Sequence, residues 1–304
     1  MEEQFYNKLI LTCPKERVKT YERMENHTSL HIGGEADYLV SPASIDEIQA
    51  VIYLCKSENM PYYIIGNGSN LLVSDQGYRG VIIKLCDDFS NICMIDENNI
   101  TAQSGILLSK LASVAASLSL SGIEFASGIP GTLGGAITMN AGAYDGEMKQ
   151  CLVKAKVLDE DGIIHELNNQ ELELGYRTSI LQKKNYILLE AELALKKGDE
   201  KTIRQRMKEL NAMRREKQPL DKYSAGSTFK RPQGYYAGKL INDAGLRGYQ
   251  VGGAAISEKH CGFGINIDNA TAKDFLNLIE DVSRIVEEKY NVKLEPEMKF
   301  LGKF

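Results

Sequence analysis

The sequence offers little to a metal ion. It holds four histidines, at 27, 31, 165 and 260, none spaced as a ligand pair, and six cysteines, at 13, 55, 86, 93, 151 and 261, with no C-x-x-C among them. Zinc sites draw on closely paired Cys and His, so no metal is expected, and the irregular spacing reads as buried free thiols rather than disulfides. No uninterrupted apolar run approaches the roughly 20 residues that span a bilayer. The opening Met1-Glu2-Glu3-Gln4 lacks the basic and apolar segments of a signal peptide, so a cytoplasmic protein with no membrane partner is expected. A basic excess is also missing. The 36 Lys and Arg face 41 Asp and Glu, a net charge of −5, which argues against a general nucleic-acid binder but allows a local basic pocket for an acidic small molecule.

What is present begins with glycine. Two glycine-rich loops lie some distance apart: Ile64-Ile65-Gly66-Asn67-Gly68-Ser69-Asn70-Leu71-Leu72, and the run from Gly122 to Tyr144 that holds Gly128-Ile129-Pro130-Gly131-Thr132-Leu133-Gly134-Gly135. Clustered glycines permit tight bends and close backbone approach to a ligand. The inward N–H groups of such loops form concavities that suit a pyrophosphate. The first loop lacks the third glycine of a dinucleotide-binding fingerprint and the lysine of a P-loop, so neither of those motifs applies. Two loops in one chain point to a large phosphorylated cofactor gripped from two sides.

At 304 residues, 43% hydrophobic and 25% charged, the chain can build two or three compact units. Ser44-Ile-Asp-Glu47 reads as a capping box for a helix with Ile48, Val51, Ile52 and Cys55 inward. Tyr62–Ile65 and Gly80–Leu85 read as strands around the first loop. A second unit starts with a helical stripe through Leu108, Leu111, Ala115 and Leu118. It continues with a hairpin turning at Asp159-Glu-Asp-Gly162 and a strand over 186–195. The polar run 196–201 marks a boundary. A helix beyond it carries Ile203, Met207, Leu210 and Met213 and must stop before Pro219. Thr271-Ala-Lys-Asp274 opens a last helix with Phe275, Leu278, Ile279 and Val282 inward.

Further segments complete a recognisable series. They are His27-Thr-Ser-Leu-His31-Ile-Gly-Gly34, Gly175-Tyr176-Arg177-Thr-Ser179, Ala225-Gly-Ser227-Thr-Phe-Lys230-Arg231-Pro232, Ala237-Gly-Lys-Leu-Ile241 and Glu295-Pro-Glu297. With the two glycine loops and in this order, they resemble the UDP-N-acetylenolpyruvoylglucosamine reductases, in the shorter of that family's two subtypes. The match runs from about residue 25 to 300. Two positions depart from common family usage: His31, where a basic Arg or Lys is frequent, and Arg231, where some relatives place asparagine.

The resemblance implies a mixed α+β and α/β fold. Two small α/β units form a PCMH-type FAD-binding domain, and a third α/β unit binds substrate. The expected division is 1–85, 86–197 and 198–294, with 295–304 packing back on the first unit. It also implies an NADPH-dependent flavoenzyme that reduces the enolpyruvyl group of UDP-N-acetylglucosamine enolpyruvate to UDP-N-acetylmuramate. That reaction belongs to peptidoglycan synthesis, and so to cell shape and division. Non-covalent FAD would rest on Gly66, Asn67, Gly68, Ser69, Asn70, Gly128, Ile129, Gly131, Gly134 and Gly135. Ser227 would donate the proton, while Arg177 and Glu297 stabilise the enolate. Tyr176, Lys217, Lys230 and Arg231 are the implied contacts to the UDP-sugar. Oligomeric state is left open, with a monomer expected.

Read without the resemblance, these residues are plainer. Arg177 reads as a surface ion pair, Ser227 as a turn residue, Glu297 as a solvated strand end, and Arg214-Arg215-Glu216-Lys217 as equally a solvated helix face. Two other functions share parts of the pattern. One is a sugar or alcohol oxidase on the same FAD architecture, although no flavin-linking His or Cys lies between Gly66 and Gly80. The other is a nucleotide-sugar-binding module without catalysis.

Overall fold

The computed structural model describes residues 2–304. The chain divides into two compact units, one of Met1–Thr20, Tyr38–Asn67 and Gly80–Arg214, the other of Tyr21–Asp37, Gly68–Arg79 and Arg215–Phe304.

The first unit has two hydrophobic cores. One gathers helix Ile45–Ser57 through Ile48, Val51, Ile52 and Cys55 with Val81 and Ile83 of strand Tyr78–Lys84. That strand runs parallel to Tyr62–Ile65, with Tyr62 opposite Val81, in a four-stranded sheet. Ser44 caps the helix by accepting the Glu47 N–H at 3.1 Å. The expected reciprocal half of the box is redirected. The Glu47 carboxylate accepts from the Ala43 N–H instead and takes both Arg17 nitrogens at 2.8 Å, because a guanidinium fork is a stronger partner than one more amide.

The second core lies under a five-stranded antiparallel sheet in the order 164–168, 152–158, 187–194, 99–103, 92–94. Its hairpin turns at Asp159–Gly162, where Asp159 Oδ1 accepts the N–H of Asp161 and of Ile163 and Gly162 adopts φ +80°. Helix Leu108–Ser117 buries Leu108, Leu111, Ala112 and Ala115 against this sheet's core. The polar stretch at 196 adds a short strand, Lys196–Lys197, paired with Leu120–Ser121. Helix Glu200–Lys217 follows and buries Ile203 and Leu210.

The second unit centres on helix Ala272–Tyr290, whose Phe275, Leu278, Ile279, Val282 and Val286 pack with Leu30, Leu72, Phe229, Leu240, Ile241 and Met298. Thr271 and Asp274 form a full capping box at its start. A three-stranded sheet, 250–251, 254–256 and 264–266, covers the same core. The C-terminal strand Lys299–Leu301 runs parallel to Leu71–Val73. Among the described residues no helix is long and apolar enough to cross a membrane, and no cluster of His, Cys, Asp and Glu could hold a metal.

Candidate functional site

In the first unit the two glycine loops touch. Gly66 follows strand Tyr62–Ile65, and its backbone lies so close to the second loop that a Cβ there would run into Thr132 Oγ1. Asn67 Nδ2 donates to the Pro130 carbonyl at 2.9 Å. Thr132 caps helix Leu133–Thr138 by accepting the Gly135 N–H. The loop is also fastened from below: the Leu108 N–H donates to Gly131, the Leu133 N–H to Ile106 and the Gly134 N–H to Ser104, at 2.8 to 3.0 Å. The loops are therefore close-packed at particular glycines: a Cβ at Gly66 or Gly128 would collide with a neighbouring side chain, and one at Gly134 would press on Ser104 at 3.2 Å.

Arg177 is built onto this loop's far end. It sits in a tight turn in which Gly175 and Thr178 exchange backbone hydrogen bonds, and its φ is +54°. A left-handed arginine costs of order 1 kcal/mol and persists only where its surroundings fix it. Three side chains do so. Asn140 Nδ2 donates to the Gly175 carbonyl at 3.3 Å and to Glu147, while its Oδ1 accepts the Lys149 N–H. Gln182 Nε2 donates to the Arg177 carbonyl at 3.1 Å and to the Thr138 carbonyl, which also accepts from Ser179 Oγ. Thr138 ends the helix that begins at Thr132. The arginine turn and the glycine loop are thus opposite ends of one braced element. The guanidinium lies 5.5 Å from the Tyr176 ring, and that ring is 57% exposed.

Two buried polar atoms flank the same loop without a hydrogen-bond partner: Ser104 Oγ, beside Gly134, and Arg214 Nε, beside Gly128. Buried polar atoms are nearly always satisfied, so unsatisfied ones lining a glycine loop are what a site for an absent polar ligand leaves behind. A cation and a hydroxyl against close-packed backbone fit a polyanionic, oxygen-rich cofactor such as FAD. Sequence reasoning left Arg214 at even odds between a phosphate contact and a solvated helix face, and missed Asn140 and Ser104. Only the spacing of Asn211 and Arg214, one helical turn apart, could have tipped the balance at Arg214.

In the second unit Ser227 and Glu297 lie on paired chain segments. Phe229 and Pro296 form an antiparallel bridge. The Glu297 N–H donates to the Thr228 carbonyl at 2.8 Å and the Lys230 N–H to the Glu295 carbonyl at 2.9 Å. Thr228 is buried, with its N–H on the Gly262 carbonyl and its Oγ1 accepting the Gly264 N–H. Glu297 is only 9% exposed. The first loop's second half reaches the same place, since Asn70 Nδ2 donates to the Glu297 carbonyl at 3.3 Å and the Lys299 N–H to Asn70. Gly68 accepts the Ser29 N–H, and Ser29 Oγ donates to the Ser224 carbonyl at 2.7 Å. His31 lies against Tyr223, with ring centres 3.9 Å apart and the planes tilted by 32°.

The sequence-implied substrate cations are differently placed. Lys230 pairs with Glu295 at 3.1 Å, Arg231 lies 4.7 Å over the Tyr236 ring, and Lys217 is exposed at the end of its helix.

An FAD-binding domain model matches residues 36–168, and a model of the C-terminal domain of UDP-N-acetylenolpyruvoylglucosamine reductase matches 218–301. These features define a flavoenzyme, an oxidoreductase with a PCMH-type FAD-binding domain and an additional α/β domain. The reductase of Lachnoclostridium phytofermentans is 54% identical over 94% of each chain, and that of Clostridium tetani 53% identical over 98% of this chain and 96% of its own. A crystal structure of the Thermus caldophilus reductase superposes with a TM-score of 0.80 at 37% identity, over 94% of this chain and 99% of the other. The chain belongs to the UDP-N-acetylenolpyruvoylglucosamine reductase family.

Proposed function

We propose that this enzyme takes electrons from NADPH and reduces UDP-N-acetylglucosamine enolpyruvate to UDP-N-acetylmuramate for peptidoglycan synthesis, with non-covalent FAD between the two half-reactions. The observation that carries the proposal is the Arg177 turn braced on the second glycine loop, because it fixes a carboxylate-binding fork relative to the cofactor's cradle. Alongside it stand a family model for the FAD-binding region and the names of relatives at about half identity over nearly the whole chain.

Bound FAD supplies the hydride, which goes to the terminal CH₂ carbon of the enolpyruvyl ether. Negative charge then gathers on the substrate carboxylate. Arg177 is suited to hold it, since a guanidinium stays charged and grips a carboxylate through two parallel bonds. Glu297 stands close to Ser227 by strand pairing and supports the same charge when protonated. The Ser227 hydroxyl delivers the proton to the carbon bearing the ether oxygen, which is basic enough at that stage for a weak acid to serve. Gly66 to Asn70 and Gly128, Ile129, Gly131, Gly134 and Gly135 hold the cofactor, and Tyr176, Lys217, Lys230 and Arg231 are proposed for the UDP-sugar. The three-domain division at 85 and 197 and a cytoplasmic location belong to the same proposal.

The test is spectroscopic. Purified protein should show a flavin absorption spectrum, lose it on anaerobic addition of NADPH and regain it on addition of the enolpyruvyl substrate. Loss of the spectrum on adding a sugar alcohol, with regain by oxygen but not by the enolpyruvyl ether, would mean an oxidase.

A further inference from the structure

The five-stranded sheet of the first unit ends differently on its two sides. Strand Ile164–Asn168 carries charge along one edge, with Glu166 paired to Lys154 at 3.0 Å. Charge of this kind is one way a fold keeps a sheet edge from pairing with another chain. Strand Ile92–Met94 forms the opposite edge. From Asn91 to Ile95 the chain there reads Asn-Ile-Cys-Met-Ile, without a charge or a proline. Met94 is 48% exposed and Ile95 51%, while Ile92 packs partly against the core.

The ladder on the inner side fixes what the outer side offers. The Ile95 N–H donates to the Asn99 carbonyl and the Gln103 N–H to the Asn91 carbonyl, both at 2.9 Å, and Cys93 stands opposite Thr101 in the same register. Residues 91, 93 and 95 therefore turn their backbone groups toward strand Asn99–Gln103. Those of Ile92 and Met94 point outward, because antiparallel pairs alternate. A second copy turned about a two-fold axis at Cys93 meets this edge in a matching register. Ile92 falls opposite Met94 of the copy and Met94 opposite its Ile92, which makes four backbone hydrogen bonds and two apolar cross-strand pairs. Asp96 falls opposite Ser90, whose hydroxyl accepts from the Lys110 ammonium at 3.4 Å, so a carboxylate of one copy comes to a cation of the other. Asp96 is the one charged residue from 90 to 96, and no like charges meet.

We propose that strand Ile92–Met94 is the contact of a symmetric dimer, in which two copies of this chain join their five-stranded sheets edge to edge about Cys93. Three residues a side make a small interface, so association is weak, with a dissociation constant on the order of 10 μM. Cys93 meets its own copy at a non-hydrogen-bonded position, where Cα atoms lie roughly 4.5 Å apart, inside the range that a disulfide spans. It is also the one fully exposed cysteine among the described residues, which makes it a probe of the register.

The test is sedimentation velocity on the full chain as purified, over about 1 to 100 μM. The protein should pass from monomer to dimer across that range. Diamide at the upper concentration should cross-link the wild type, and Cys93→Ser should lose the cross-link while keeping the dimer. Met94→Pro removes an outward N–H and leaves the inner ladder whole. Met94→Lys keeps the backbone intact and sets a charge on the edge, so it serves where the proline variant fails to fold. Each should move the midpoint roughly 10-fold or more toward monomer, with melting temperature and enzymatic turnover near wild type. A protein that stays monomeric at every concentration, as the sequence alone leads one to expect, overturns the inference. So does a dimer that persists unchanged in Met94→Lys, which would rest on another surface. A dimer whose Cys93 thiols do not cross-link overturns the two-fold register.

Discussion

The two units present the side chains proposed for function by different physical means. In the first, Arg177 is held by side chains: Asn140 and Gln182 reach the carbonyls on either side of it, and Ser179 ties the turn to Thr138. In the second, Ser227 and Glu297 are set by main chain, through the bonds that join 228 and 230 to 295 and 297. The difference follows from the job. A guanidinium meant to fork onto a carboxylate needs its orientation fixed to a fraction of an ångström, and a left-handed residue in a turn cannot supply that without braces. A serine hydroxyl rotates freely and needs only its Cα in place. Mutation can remove side-chain braces one at a time. A backbone ladder yields only to changes that break the strand pairing.

That contrast can be broken first at the arginine. Arg177→Lys keeps the charge and loses the fork, so kcat/KM for the enolpyruvyl substrate should fall about 10²-fold or more. Flavin reduction by NADPH should stay near normal, and near-normal turnover would assign Arg177 to structure.

Removal of a brace should have a smaller and mixed effect. Asn140 itself has φ +42°, and its side chain makes three hydrogen bonds. Asn140→Ala should therefore cost about 2 to 3 kcal/mol of stability and lower kcat roughly 10-fold through a loosened Arg177. Chemical denaturation and steady-state kinetics measured on one preparation check both parts. A stability loss with untouched kcat would mean that the turn does not need this brace.

The smallest effect is expected at the capping box of helix Ala272–Tyr290. Thr271→Ala should cost about 1 kcal/mol with no change in kcat, since that helix supports the second unit's core rather than its chemistry. A kinetic defect would show that the Ser227–Glu297 ladder depends on the core more closely than the hydrogen bonds indicate.

Local features were legible in the sequence because local physics decides them. The Thr271–Asp274 box, the Asp159–Gly162 turn and the stop before Pro219 each follow from residues within one or two turns. The Ser44 box was read half correctly, since Arg17, distant in sequence, claims the Glu47 carboxylate. The candidate site was legible mainly through family resemblance. Nothing near Arg177 announces that residues at 138, 140 and 182 will hold it. Arg214 was left open for the same reason. An Arg-Arg-Glu-Lys run at a helix end reads as a solvated face, and only the loop at 127–128, more than eighty positions earlier, buries one of its two arginines.

The side chains at 177, 227 and 297 are proposed to serve the second half-reaction, after the hydride has been loaded. Ser227→Ala tests this most directly. Anaerobic stopped-flow absorbance on this variant should show flavin reduction by NADPH at a rate close to wild type. Reoxidation by the enolpyruvyl substrate should then be very slow, because hydride addition with no proton donor leaves an enolate that reverts. Reoxidation at the wild-type rate would show that Ser227 is not the acid and contradict the account. Equal slowing of both half-reactions would contradict it too, pointing to a misplaced cofactor in place of a missing proton.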